Sequence, residues 1–78
     1  MIKFNNLRKV CEKLNFRIEN SMFFINVIDK YDYALMHFYP DKVWGLHFEN
    51  AFNYLNNDIK AMLIKAITKD YEDYINED

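Results

Sequence analysis

The chain has 78 residues, of which 51% are hydrophobic and 18% aromatic, and its formal net charge is −2. This length and composition predict one domain spanning residues 1–78 with a packed core, and they argue against a second domain and a disordered chain. The single cysteine, Cys11, excludes an internal disulfide, and no signal-peptide pattern or apolar run of ~18 residues occurs. We therefore expect a cytoplasmic protein without a membrane segment.

The first predicted element is an amphipathic helix over residues 3–14. Apolar residues recur there at helical spacing, namely Leu7, Val10, Cys11 and Leu14. Asn5 or Asn6 is the candidate N-cap, and Asn15 is predicted to end the helix. Residues 1–19 carry five bases against two acids, whereas the remaining residues carry five bases against ten acids, so positive charge concentrates near this helix.

Residues 16–48 are rich in aromatic and β-branched residues separated by turn residues, which predicts a β-meander. Three strands are expected, over 21–29, 33–39 and 42–48, and residues 15–20 are a candidate extended lead-in to the first. The turns at 29–32 and 39–42 are short, so the strands should be antiparallel.

Alternation along the strands predicts one face of large apolar side chains, which should meet the helices, and a second face of tyrosine, histidine and smaller residues. The first face contains Phe23, Ile25, Val27, Ala34, Met36, Phe38, Trp44, Leu46 and Phe48. The second face contains Met22, Phe24, Ile28, Tyr33, Leu35, His37, Tyr39, Val43, Gly45 and His47.

A helical period extends from residue 50 to the end of the chain, interrupted at 55–58. We expect a short helix at 50–56 and a long one from 58 to about 75, with Asn57 and Asp58 at its start. One continuous, kinked helix is the alternative. The fold class is therefore α+β with the order α-β-β-β-α(α), a three-stranded antiparallel meander with helices packed on one face.

His37 and His47 are the candidate chemical groups, because adjacent strands should bring them close together on the second face. Zinc prefers three or four ligands, and no cysteine pair or third histidine completes such a set. We therefore predict no metal, no cofactor and no catalytic residue. A small nuclease using the two histidines is the least favoured alternative.

Direct binding of nucleic acid is not expected either. Double-stranded RNA-binding domains share the order of elements but place a lysine-rich cluster at the start of their last helix. Here that region reads "ENAFNYLNNDIK", which is poor in bases. His37 stands in "LMHFY", without the Gly-Ser-His context usual in small toxins related to that fold.

Exposed tyrosines are candidates for a protein interface, because tyrosine is enriched where a rigid, amphipathic group anchors a partner. Tyr31, Tyr33 and Tyr39, with His37 and His47, would form an aromatic sheet face. Such a face could join two copies of the chain, and a self-associating structural or accessory protein is thus an alternative function.

The segment "KDYEDYINED", residues 69–78, carries five carboxylates and one base, although a helix C-terminus favours positive charge. Helical geometry predicts that Asp70, Asp73 and Glu77 project outward while Tyr71, Tyr74 and Ile75 turn inward. A row of carboxylates that opposes the helix dipole indicates a functional surface for a basic partner.

The order of elements, the acidic C-terminal segment and the opening "NNLRKVCEKLNFRIE" resemble small phage-encoded inhibitors, particularly the acidic anti-CRISPR proteins that imitate DNA. The resemblance covers most of the chain without a specific motif. It implies a non-enzymatic inhibitor that places carboxylates where a basic, nucleic-acid-binding partner such as a CRISPR effector expects phosphates. The implied contact residues are Asp70, Glu72, Asp73, Glu77 and Asp78, with Tyr71 and Tyr74 as flat anchors.

Overall fold

One helix, four antiparallel strands, a short 3-10 helix and a long helix follow one another along residues 1–77, the part of the chain that the computed structural model describes. The elements are α1 (Asn5–Leu14), β1 (Arg17–Asn20), β2 (Ile25–Ile28), β3 (Ala34–Phe38), β4 (Leu46–Phe48), the 3-10 helix (Asn50–Tyr54) and α2 (Asn57–Ile75). Each strand pairs with the next in the order β1-β2-β3-β4. The α+β class is confirmed, and the sheet has four strands where three were predicted.

The additional strand is β1, which occupies the segment expected to be only an extended lead-in. Ser21 ends it, because its N–H and its hydroxyl both donate to the Phe24 carbonyl, at 2.8 and 2.9 Å, and reverse the chain. Residues 21–24 are therefore a turn rather than the start of a strand. For this reason Phe23, predicted on the apolar face, is 72% exposed.

A β-bulge between β2 and β3 changes the predicted faces. Val27 pairs with Met36 and Ile28 pairs with Ala34, so Leu35 is an extra residue on β3. The bulge lets both Leu35 and Met36 become fully buried, whereas strict alternation placed them on opposite faces. The prediction for Leu35 was therefore wrong.

β4 is shorter than the predicted strand 42–48 because two reversals precede it. The Lys42 N–H donates to the Tyr39 carbonyl in the predicted turn, and the Gly45 N–H donates to the Lys42 carbonyl at 3.1 Å. Trp44 has a φ of 61°, and a Cβ on Gly45 would lie 2.9 Å from the Lys42 Cβ. Glycine is therefore required at the second reversal, and Trp44 leaves the plane of the sheet.

The core lies between the sheet and the two long helices, and it includes the segment before α1. The Ile2 N–H donates to the Pro40 carbonyl at 2.9 Å, which directs Ile2 and Phe4 inward. The Phe4 ring lies 4.5 Å from the Phe38 ring, measured between centroids, and meets Tyr71 edge-on at 5.8 Å. The aromatic packing thus joins the N-terminal segment, β3 and α2.

Local hydrogen bonds close three of the four ends of α1 and α2. At the C-terminus of α2 they come from the backbone alone, where the Asn76 N–H donates to the Glu72 carbonyl at 3.0 Å. Asn15 adopts a left-handed conformation and ends α1, as predicted, with the N–H groups of Asn15 and Phe16 donating to the last turn. The Asn56 side chain accepts from the Ile59 N–H at 2.9 Å, so α2 is capped one residue before the predicted position. Two separate helices therefore span 50–75, in agreement with the first of the two predicted arrangements.

Candidate functional site

The fourth helix end, the start of α1, is capped by a residue of α2. Phe4 precedes the helix with a φ of 54° and offers no side-chain cap, and Asn5 and Asn6 do not provide the predicted one. Instead, one Asp70 carboxylate oxygen accepts from the Asn6 N–H and the Asn6 Nδ2, and the other accepts from the Leu7 N–H, all at 2.9 Å. Asp70 is only 5% exposed.

The prediction that Asp70 projects outward is therefore wrong. The structure also explains why a negative charge is tolerated near the C-terminus of α2, where it opposes the helix dipole. A carboxylate near the C-terminus of α2 is unfavourable for α2, but here it meets the positive end of the α1 dipole. Three charge-assisted hydrogen bonds satisfy the carboxylate and the orphan N–H groups together. Asp70 thus locks the last turns of α2 against the first turn of α1 and cannot contact a partner.

The other carboxylates of residues 69–77 face the solvent. The exposed acidic residues, called the acidic end below, are Glu72, Asp73 and Glu77. Asp73 forms an ion pair with Lys69 at 2.9 Å, and this hydrogen bond raises the pKa of Lys69. Asp78, also predicted as a contact, lies outside the described residues. Because Asp70 is buried, the acidic end has fewer carboxylates than the sequence suggested.

The two tyrosines of the same segment have different surroundings. Tyr71 is buried, and burial raises the pKa of its hydroxyl to about 12, with the nearby Trp44 backbone opposing the rise. Its hydroxyl has no partner with hydrogen-bond geometry among residues 1–77. Tyr71 thus turns inward and is not the surface anchor that the resemblance implied, whereas Tyr74 is half-buried and reaches the surface. Ile75 was predicted to turn inward as well, but it lies at the end of α2 and is 62% exposed, so that prediction was wrong.

An exposed aromatic residue from the turn before β4, which the sequence did not assign to a site, packs against these turns of α2. The Trp44 ring is 54% exposed and packs 4.8 Å from the Tyr71 ring, measured between centroids. Its left-handed backbone, followed by Gly45, turns the ring from the sheet toward α2. The dipeptide Trp-Gly after a turn was the signal for this displacement.

The predicted tyrosine surface divides into two. Tyr31 and Tyr33 are 71% and 62% exposed and line a groove of about 610 Å³ with Tyr54. The Asp29 carboxylate shapes their turn by accepting from the N–H groups of both Tyr31 and Tyr33 at 2.9 Å. Tyr39 lies elsewhere, on the face of the sheet that points away from the core.

That second surface, called the outer sheet face below, consists of Phe24, His37, Tyr39 and His47. The ring centroids of His37 and His47 are 5.0 Å apart, and Phe24 lies 5.1 Å from His37. Tyr39 meets His37 edge-on at 6.4 Å. The prediction that the two histidines come together on the less apolar face is confirmed, and the pair also remains the candidate for the nuclease alternative.

The His37 ring is oriented by a carboxylate that the sequence did not single out. Its Nδ1 lies 2.7 Å from the Glu49 Oε1, and Glu49 follows β4 directly. His37 is half-buried, whereas His47 is exposed. Residues 1–77 contain no group of three or more His, Cys, Asp or Glu side chains placed to hold a metal ion.

Cys11 provides no nucleophile, because it is buried and burial raises the pKa of its thiol to about 11. Within the described part of the chain, neither long helix has the length and hydrophobicity needed to cross a membrane. No protein-family model, curated protein or solved structure matches the sequence or the fold. The function therefore has to be argued from the three surfaces themselves.

Proposed function

We propose that the chain is a small non-enzymatic inhibitor, encoded by a phage or another mobile element, that binds a protein partner in the cytoplasm. It covers a basic, nucleic-acid-binding surface of that partner, such as the cleft of a CRISPR effector. The observation that carries the proposal is the acidic end: Glu72, Asp73 and Glu77 are exposed on a helix that the buried Asp70 fixes in place.

Rigid placement matters because a binding surface that is already ordered loses less conformational entropy when it binds. The hydrogen bonds of Asp70 and the packing of Tyr71 hold the last turns of α2 against α1 and the core. Exposed carboxylates on such a helix can accept paired hydrogen bonds from arginine, as phosphates do. Asp70 and Tyr71 thus do not touch the partner but hold in place the turns of α2 that carry the acidic end.

The proposed contact set changes accordingly. Glu72, Asp73 and Glu77 supply the charge, and Tyr74 and the exposed Trp44 supply aromatic area on the same turns of α2. Aromatic residues are enriched at the centre of protein interfaces, whereas polar and charged residues lie toward the rim. A basic partner of this surface gains both charge neutralisation and apolar burial.

Neutralising the acidic end tests the proposal. We expect the triple variant Glu72→Gln, Asp73→Asn, Glu77→Gln to bind the partner at least about tenfold more weakly, because several ion pairs with the partner are lost. The partner is first captured from a bacterial lysate and identified by mass spectrometry. Its affinity for each variant is then titrated at low and high salt, with duplex DNA as competitor.

The matched control is the triple variant Glu12→Gln, Asp41→Asn, Asp58→Asn, which removes the same charge from exposed positions elsewhere. It should bind like the unmodified chain. Equal weakening by both triple variants would show that only net charge matters. A partner that binds DNA equally well in the presence of the chain would contradict the inhibitor proposal.

The outer sheet face favours a second candidate function, self-association. Phe24 and Tyr39 lie beside His37 on the sheet face opposite the core, and such an aromatic patch is typical of a contact between copies. If the chain self-associates in this way, Tyr39→Asp should convert the dimer to a monomer in light scattering after size exclusion. Tyr33→Asp is the control, because Tyr33 lies in the groove that it lines with Tyr31 and Tyr54. A dimer that survives Tyr39→Asp but not Tyr33→Asp would place the interface in that groove instead of on the outer sheet face.

A further inference from the structure

We propose that His37 and His47 form one half of a zinc site, and that a second copy of the chain supplies the other half through its own outer sheet face. This inference is independent of the basic-partner proposal. It rests on the second candidate function only in requiring that two outer sheet faces can meet.

The spacing of the two rings fits a shared metal ion. His37 and His47 are directly opposite each other on β3 and β4, and their ring centroids are 5.0 Å apart with 33° between the ring planes. Two imidazoles bound to one tetrahedral zinc through nitrogens at about 2.0–2.1 Å have centroids about 5 Å apart. The spacing of the two ring centroids is therefore the one that a shared zinc ion requires.

The contact with Glu49 prepares His37 for this role. The His37 Nδ1 lies 2.7 Å from the Glu49 Oε1, and because a carboxylate only accepts hydrogen bonds, the Nδ1–H is the donor in this contact. The other ring nitrogen, Nε2, is the one that would bind zinc. A carboxylate behind a metal-binding histidine fixes the ring orientation and raises the basicity of the ligand nitrogen. The His37 side chain keeps 25% of its surface exposed, so a metal ion can reach it.

A second copy completes the site because zinc binds four ligands and the described residues 1–77 offer no third group placed to hold the same ion together with the pair. A twofold axis through the metal would bring together two identical histidine pairs. The two Glu49 carboxylates would balance the charge of Zn²⁺. Phe24 and Tyr39 of each copy would surround the metal with aromatic area that excludes water.

The test uses the purified, metal-free chain with zinc chloride as the probe. We expect zinc to raise the mass in light scattering from 9.6 kDa to twice that value, with one zinc per two chains in calorimetry. His37→Gln and His47→Gln should each abolish the zinc-dependent dimer. Glu49→Gln should weaken zinc binding by about 10- to 100-fold.

Asn26→Ala is the matched control, because Asn26 lies opposite His37 on β2 and offers no metal ligand of comparable strength. This variant should dimerise with zinc like the unmodified chain. Three results would overturn the inference: a chain that stays monomeric with zinc, a His47→Gln variant that dimerises equally well, or one zinc per chain. A dimer that forms without metal and ignores zinc would also overturn it, while supporting self-association.

Discussion

Asp70→Ala is expected to lower the free energy of unfolding by about 2–4 kcal/mol, because it removes three hydrogen bonds and leaves the first N–H groups of α1 without an acceptor. The new residue is compatible with the helix, so the loss reports the missing cap rather than helix propensity. Urea denaturation followed by far-ultraviolet circular dichroism measures it.

Asp73→Ala is the matched control for this variant. Asp73 lies one turn further along α2, is exposed, and makes a surface ion pair with Lys69 that contributes little. The control should change the free energy of unfolding by no more than about 0.5 kcal/mol. Equal effects of the two substitutions would mean that Asp70 acts only as one more negative charge.

Phe4→Ala is expected to lower the free energy of unfolding by about 3–5 kcal/mol, because removal of the fully buried ring between Phe38 and Tyr71 leaves a cavity. Phenylalanine and alanine both tolerate the positive φ at this position poorly, so the difference reports the lost ring. Guanidinium denaturation followed by tryptophan fluorescence measures the loss.

Phe23→Ala is the corresponding control, since Phe23 is exposed in the turn between β1 and β2. It should leave the free energy of unfolding within about 0.5 kcal/mol of the original. If Phe4→Ala does not fold, Phe4→Leu should still fold with a loss of about 1–2 kcal/mol. A Phe4 variant as stable as Phe23→Ala would show that the N-terminal segment does not belong to the core.

Elements specified by local signals were predictable from the sequence. The helical period over residues 3–14 and the left-handed residue Asn15 located α1, and the interruption at 55–58 separated the 3-10 helix from α2. Cross-strand proximity of His37 and His47 followed from alternation and short turns. Each of these inferences needed only neighbours close in sequence.

Features that depend on distant neighbours were not predictable in this way. A helical wheel places a polar residue such as Asp70 toward solvent, and only the uncapped start of α1 makes its burial favourable. The bulge at Leu35, where β3 pairs with β2, shifts the strand by one side chain. Hydrophobic pattern alone contains no information on such interruptions.

The directions of two turns explain why the predicted sites were rearranged. Tyr31, Tyr33 and Tyr39 are close in sequence, but the turn stabilised by Asp29 directs the first two toward the 3-10 helix. Trp44 joins the acidic end through a backbone conformation that side-chain alternation cannot anticipate. Surfaces depend on where turns point, and turn direction is the least regular part of a small domain.

The Asp70 cap also affects how the domain opens. It joins residues 64 positions apart, so the hydrogen bonds at the start of α1 exist only while the last turns of α2 are formed. Neither helix can fray at that end without the other, and local opening there becomes one cooperative event instead of two independent ones. A partner that binds the acidic end would thereby slow the opening of α1, a helix that the partner does not contact.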